Sequence, residues 1–423
     1  MSPDATAQYF AKVKYERSGN GVRTDDDRDG KINEDGFDDL NGDGKISWMR
    51  ISDPTGKYKL NPDDARSLIL ADASKGESGK YMLLREGADN DKDGELNEDG
   101  EGGVHFNKNL SYNYRPFIPG AGEYAVSEKE TRALLDLMFD TFNIYTVVTF
   151  GPVNNLSSPV QSNPAGLAKR IITSWYDADA KANALVSEKY NKITGTKDAP
   201  RSTGESGDFS QWAYFHYGRL SFSTPGWWVP KVKPDTAQKQ KAFTNEDPSA
   251  AYLRWSATQG AGSTFTEWKK IEHPDFPGQT VEVGGIDPFV MINPPYKMVD
   301  GIVKKHTDFL VSLAGMAPKI DLIGLKTEKL SDGLTRISVK VINSGTLPTL
   351  TRIAERSYFL KRVMVRVQTA AGQSVVSGNK TQSLDGIAGK DFTELTWLVR
   401  GSGKITIEAG SPSSGSKSID LTL

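Results

Sequence analysis

The chain has 423 residues, 37% hydrophobic and 25% charged, with a formal net charge of -2 and a mean hydropathy of -0.49, which is enough chain for two domains. No apolar run approaches the roughly 18 residues of a membrane-crossing helix, and the opening MSPDATAQYF lacks the basic and apolar regions of a signal peptide. The absence of cysteine excludes a disulfide framework and any thiolate metal site.

In chain order, the first informative stretch is acidic. Nine acids and three bases lie between Asp25 and Ile46 (net -6), and eight acids and one base between Glu86 and Glu101 (net -7). Blocks this acidic repel themselves unless cations sit among them, and they oppose binding to nucleic-acid phosphates. They contain a repeat, DDDRDGKINEDG from Asp25 and DNDKDGELNEDG from Asp89, with a shorter relative, DLNGDGKIS, from Asp39. Carboxylates or amides at positions 1, 3 and 5 converge on one hard cation, glycine at 6 permits the sharp turn, and an apolar residue at 8 anchors the loop. The expected calcium ligands are Asp25, Asp27 and Asp29; Asp39, Asn41 and Asp43; and Asp89, Asp91 and Asp93. Position 12, where an EF-hand has a bidentate Glu, is Gly36, Arg50 and Gly100, and no amphipathic helix pairs flank the loops. The pattern therefore predicts weak structural sites of the kind used where calcium is millimolar, outside the cell. The competing reading is solvated acidic turns.

SEKETRALLDLMFDTF predicts a helix opening with a capping box, Ser127 to Glu130, and presenting Leu134, Leu137, Met138 and Phe142 on one face. NIYTVVTF, Asn143 to Phe150, follows as a strand apolar on both faces, as in a buried parallel sheet. The crevice past the carboxyl end of such a strand is where α/β folds do chemistry, and there the chain has Gly151.

These segments, taken together, resemble the zinc carboxypeptidases of the carboxypeptidase A type, in a bacterial branch with acidic insertions. Pro3-Asp4 matches the end of the family's Asn-Pro-Asp-Gly turn, and Arg17 lies at the spacing of the arginine that polarises the scissile carbonyl. Asn107-Lys108-Asn109 matches the Asn-Arg-Asn clamp for the substrate's carboxylate. SEKETRAL and VVTFG match the helix and strand leading to the third zinc ligand, GDFSQWAYFHYGRLSFSTPGWW the stretch before the catalytic glutamate, and FPGQTVEVGG with INPP a further segment.

Family chemistry needs zinc held by an HxxE motif and a later His, with a Glu as base. The four histidines, His105, His216, His273 and His306, are followed three residues on by Lys108, Arg219, Phe276 and Phe309, so no HxxE exists. The resemblance puts Gly151 where the third ligand belongs and Pro225-Gly226 where the base belongs; Glu282 of VEVGG is the alternative base. Lys108 replaces the planar arginine fork with a point charge, which weakens bidentate carboxylate recognition. Arg17, Asn107 and Lys108 remain the carboxylate-binding candidates.

After Pro318, the segments KIDLIGLKTEKL, TRISVKVINSG, LKRVMVRVQTA, TELTWLV, KITIEAG and KSIDLTL alternate with turns, as in an antiparallel sandwich. The expectation is an α/β carboxypeptidase-like mixed sheet flanked by helices over residues 1–316, with acidic insertions at 25–50 and 86–103. An immunoglobulin-like β-sandwich over 317–423 follows it. The expected function is a catalytically inactive binding or assembly subunit, at a bacterial surface or outside the cell, with calcium but not zinc. In the family, HxxE lies upstream of Pro3, so the resemblance implies a protein partner that completes the sheet. Two alternatives stand beside it. One is an active metallocarboxypeptidase whose HxxE half is a separate chain. The other is a carbohydrate-binding surface protein stacking sugars on Trp212, Trp227 and Trp228.

Overall fold

The computed structural model describes residues 20, 29–32, 34–97, 103–200, 204–232, 247–259, 264–287, 289–331, 333–357 and 359–423. Elements in the first part are β1 (Trp48–Ser52), β2 (Tyr58–Leu60), β3 (Leu68–Leu70), β4 (Tyr81–Arg85), α1 (Lys129–Asp140), β5 (Thr146–Phe150), α2 (Pro164–Leu167) and α3 (Asp177–Thr194). There follow α4 (Phe209–Phe215), β6 (Leu220–Thr224), α5 (Pro248–Thr258), β7 (Phe265–Ile271), β8 (Val281–Ile286) and α6 (Tyr296–Ala314). The C-terminal region is all β: β9 (Ile320–Lys329), β10 (Leu334–Asn343), β11 (Met364–Thr369), β12 (Ser374–Ser377), β13 (Thr381–Ser383), β14 (Phe392–Arg400), β15 (Lys404–Ser411) and β16 (Gly415–Thr422). No sheet closes into a barrel among the described residues, and none of their helices is long and apolar enough to cross a membrane.

The chain divides into two compact units. The first, Met1–Lys108, Pro116–Glu123 and Trp227–Ile302, is built on an antiparallel sheet of order β3-β2-β4-β1-β8-β7. Its β1 alternates: Met49 and Ile51 are buried with Val281 and Val283 of β8, while Trp48 and Arg50 turn to the other face, as period-2 side-chain geometry requires. Gly284 is needed in β8, because at φ +155 a Cβ would stand 2.8 Å from the Thr266 carbonyl oxygen, beside the irregularity between Thr266 and Lys269 of β7. The acidic repeats belong to this unit.

The second unit, Asn109–Arg115, Tyr124–Gly226 and Val303–Leu423, contains the parallel pair β5-β6. Around it α3, α4 and the later turns of α6 supply a core that includes Val186, Tyr190, Tyr214, Leu220, Phe222, Phe309 and Leu313. The C-terminal strands form two antiparallel sheets, β12-β14-β10-β9 and β13-β11-β15-β16, around one apolar core centred on Ile337, Val339, Val365, Trp397 and Ile407. All six expected C-terminal strand segments are strands; β12 and β13 are additional. In this division the C-terminal sheets group with β5-β6 and its helices.

Two local expectations are corrected. The helix α1 is capped at Glu128 without a side-chain bond, and its buried residues are Thr131, Leu135 and Met138; Leu137 is 61% exposed. The capping box does not form because the Ser127 hydroxyl is taken up elsewhere, accepting from Asn109 Nδ2 at 3.0 Å and donating to Glu128 Oε1 at 2.6 Å. The strand after α1 is parallel as expected but covers only Thr146–Phe150 and is partly exposed; its neighbour β6 is the one buried throughout.

Candidate metal centre and the crevice at the parallel strands

The third acidic repeat folds as its pattern requires. Asp89, Asp91 and Asp93 each place a carboxylate oxygen within 4.8 Å of the others. The loop is held by its own amides: Lys92 N–H donates to Asp89 Oδ1 at 2.6 Å, Gly94 N–H to Asp89 Oδ2 at 3.2 Å, and Glu95 N–H to Asp93 Oδ1 at 2.8 Å. Gly94 takes φ +103 at the turn, where a side chain would be strained. Loss of hydration, with the charges of Asp93 and Asp89, pushes the Asp91 carboxyl above its ordinary range.

Asp91 belongs to a second group as well, with Asp29 and Glu34, again within 4.8 Å. Both Glu34 oxygens are shut away from water without a hydrogen-bond partner, with the Lys31 ammonium 3.4 Å from Oε1. Burial and the Asp29 charge push the Glu34 carboxyl upward, whereas the Lys31 hydrogen bond holds Asp29 low. Every donor in both groups is a carboxylate oxygen, a set that suits a hard cation. These are the two groups of three or more metal-ligating side chains among the described residues.

The middle loop is built in the same way, with an amide, Asn41, in place of the central carboxylate. Asp39, Asn41 and Asp43 turn their oxygens onto their own backbone: Asp43 N–H reaches Asp39 Oδ1 (3.0 Å) and Asn41 Oδ1 (2.8 Å), and Gly44 N–H reaches Asp39 Oδ2 (2.8 Å). Buried Glu86 anchors this loop by accepting from Asn41 N–H at 3.1 Å and Ser47 N–H at 2.9 Å; burial raises its carboxyl against those donors. Asp35, fully buried, staples the first repeat to the third, accepting from Asn90 N–H at 3.0 Å and Asn97 N–H at 2.7 Å. Glu34, Asp35 and Glu86 were missed because the metal-loop pattern scores positions 1, 3, 5, 6 and 8. The signal for Glu34 and Asp35 was the repeated NEDG at positions 9 to 12; Glu86 lies in none of the repeats. Asp25, Asp27 and Arg17 lie outside the described residues.

The carboxylate-clamp candidates Asn107 and Lys108 share one short 3-10 turn, Phe106–Lys108. The Lys108 ammonium donates to the Pro119 carbonyl at 3.1 Å. Asn109 is fully buried and bonds to Tyr124 and Ser127.

At the carboxyl end of β5-β6, Gly151 N–H donates to the Thr224 carbonyl at 3.0 Å and Gly226 N–H to Thr224 Oγ1 at 3.1 Å. A chain of hydrogen-bonding side chains lies behind them: Tyr190 Oη is 3.1 Å from both Thr224 Oγ1 and His306 Nε2. Phe150 packs edge-on to His306 at 5.3 Å. Gly226 has φ +77, and a Cβ there would come within 3.2 Å of Phe150. Glu282, the alternative base, lies in the other unit and is bound to Arg50 Nε at 2.8 Å. Trp212 and Trp227 are 2% and 9% exposed, so neither offers a ring face for stacking. Trp48 and Trp268, both half-buried, line a cavity of about 200 Å³ with Arg66 and Arg85, and their rings carry the guanidinium groups of Arg85 and Arg50 at 4.1 and 4.4 Å.

Comparison with known proteins adds little to this geometry. Residues 319–422 match a family described as "Domain of unknown function (DUF8731)". No curated protein matches the chain. Solved structures with a similar portion include DesR, a β-glucosidase from Streptomyces venezuelae in complex with D-glucose: 15% identity, 25% of this chain, 15% of that chain, TM-score 0.15. A GH3 β-glucosidase from Bifidobacterium adolescentis gives 15% identity over 25% of this chain and 17% of that chain, TM-score 0.15. A quarter of this chain thus aligns with a small part of each enzyme, and the likeness carries nothing about activity.

Proposed function

We propose that this chain is a catalytically inactive, carboxypeptidase-like binding protein, stabilised by calcium in its acidic repeats and acting at a bacterial surface or outside the cell. The observation that carries the first part is the composition of the crevice. Around the ends of β5 and β6 stand Gly151, Pro225 and Gly226, with Phe150, Tyr190, Thr224 and His306 behind them. A metallopeptidase needs three protein ligands and a general base at one point; a lone buried imidazole bonded to a tyrosine supplies neither.

Calcium is the cation that all-oxygen, carboxylate-rich loops with a glycine turn suit best. Asp29, Glu34, Asp89, Asp91 and Asp93 would hold it, the ion screening carboxylates that otherwise repel one another. The C-terminal region is read as an immunoglobulin-like sandwich serving as a spacing or interaction module. A protein partner remains part of the proposal. Phe150, Val303 and Val311 of the second unit are 54%, 56% and 70% exposed, and β5 has one strand neighbour among the described residues. Exposed apolar side chains beside an open strand edge favour covering by another chain.

Incubation with peptides of varied C-terminal residues, with zinc added, should release no amino acid above the rate of a Gly151→Ala control. Chelator-sensitive trimming of C-terminal residues would sink the reading.

A further inference from the structure

The second unit contains a cavity of about 590 Å³ whose charge is one-sided. Lys169 and Arg170, just past α2, and Arg356, at the end of the 3-10 turn Ile353–Arg356, line it, and no carboxylate does. Among the described residues, none of these three cations forms an ion pair with Asp or Glu. The nearest acid in sequence, Glu355, is engaged by Arg352, and Arg356 instead donates to the Tyr176 hydroxyl at 3.3 Å. Three cations gathered without counter-charge raise the local potential and attract anions.

The wall is aromatic and fixed. Tyr112 lies flat on Phe215, with ring centroids 4.3 Å apart and planes 9° apart, and its hydroxyl donates to the Ile172 carbonyl at 2.6 Å. His216, also in the lining, meets Ser111 Oγ through Nδ1 at 3.0 Å. The volume falls within the roughly 300–1,000 Å³ of small-molecule sites, which combine apolar walls with a few directed polar groups. Guanidinium forks match phosphate and carboxylate geometry, and lysine adds a point charge. Phe215 and His216 precede β6 in the chain, whereas Pro225 and Gly226 follow it. The cavity and the lost peptidase crevice are therefore different places.

We infer that this cavity binds a small organic molecule that joins a multiply charged oxyanion, a phosphate ester or a dicarboxylate, to a flat apolar body. The oxyanion sits among Lys169, Arg170 and Arg356, and the apolar body lies against Leu167, Ile171 and the open side of Phe215, whose other face buried Tyr112 holds in place. Calorimetric titration of the full chain at low ionic strength, with phenyl phosphate, isophthalate and neutral phenyl glucoside, tests it; the two anions chelate calcium only weakly. Saturable one-site binding of either anion is expected, and which one binds more tightly identifies the oxyanion. The double variant K169E/R170E changes exposed side chains and should weaken binding at least tenfold with an unchanged melting temperature. Arg356→Gln should weaken it several-fold. No saturable binding of either anion, equal binding of the neutral glucoside, or undiminished binding by K169E/R170E would overturn the inference.

Discussion

Removing calcium with EDTA should lower the melting temperature of the protein by several degrees, and millimolar calcium should restore it. The reason is electrostatic. Asp29, Glu34, Asp89, Asp91 and Asp93 crowd their oxygens into two overlapping groups, and Glu34 and Asp91 are already pushed toward protonation. An ion that binds the folded loops and not the unfolded chain stabilises by about 2.7 kcal/mol at one hundred times its dissociation constant. In a unit of this size that corresponds to a shift on the order of 5–10 °C. Magnesium should do less, because it dehydrates reluctantly and demands a tighter octahedron. Asp91 is common to both groups, so Asp91→Asn should remove most of the calcium response while leaving the EDTA-treated melting temperature nearly unchanged. Coincident melting curves in calcium and EDTA would return these loops to solvated acidic turns.

The second large effect is expected in the other unit. Asp179, 1% exposed in α3, accepts from Arg352 N–H at 2.7 Å, Ile353 N–H at 3.1 Å and the Tyr214 hydroxyl at 2.8 Å. One carboxylate thus ties the helical layer to the 3-10 turn between β10 and β11. Asp179→Ala leaves three donors, two of them buried, without this acceptor, and should destabilise the second unit by about 3–5 kcal/mol. Burial pushes the Asp179 carboxyl above its ordinary range, against the donors. Its contribution is therefore complete below the ordinary carboxylate range and diminishes as pH rises through the raised value. The gap between wild type and Asp179→Ala should accordingly be widest near pH 4 and narrower at pH 7. Denaturant titrations at both pH values check this, and a gap that widens with pH would contradict it.

How far these features could be read beforehand depended on whether their cause is local. The C-terminal strands were legible because alternation in TRISVKVINSG and KITIEAG records a buried and an exposed face residue by residue. The acidic repeats were legible for the same reason, since a turn glycine and its carboxylates sit within six positions. Glu34, Asp35 and Glu86 were not, because their roles are long-range: Asp35 serves amides 55 and 62 residues away. The start of α1 differs from the local pattern for a similar reason. Asn109, 18 residues upstream, claims the Ser127 hydroxyl that local pattern assigned to a capping box. The cation-lined cavity draws Lys169, Arg170 and Arg356 from segments nearly two hundred positions apart, so no window of sequence displays it.

The most direct test of the whole account is the metal content of the purified chain after dialysis against equal calcium and zinc, measured by mass spectrometry. Retained calcium at one or more ions per molecule, with zinc well under one, is the result predicted from carboxylate loops and a crevice of Gly151, Pro225 and Gly226. One tightly held zinc per molecule, with calcium lost, would contradict it.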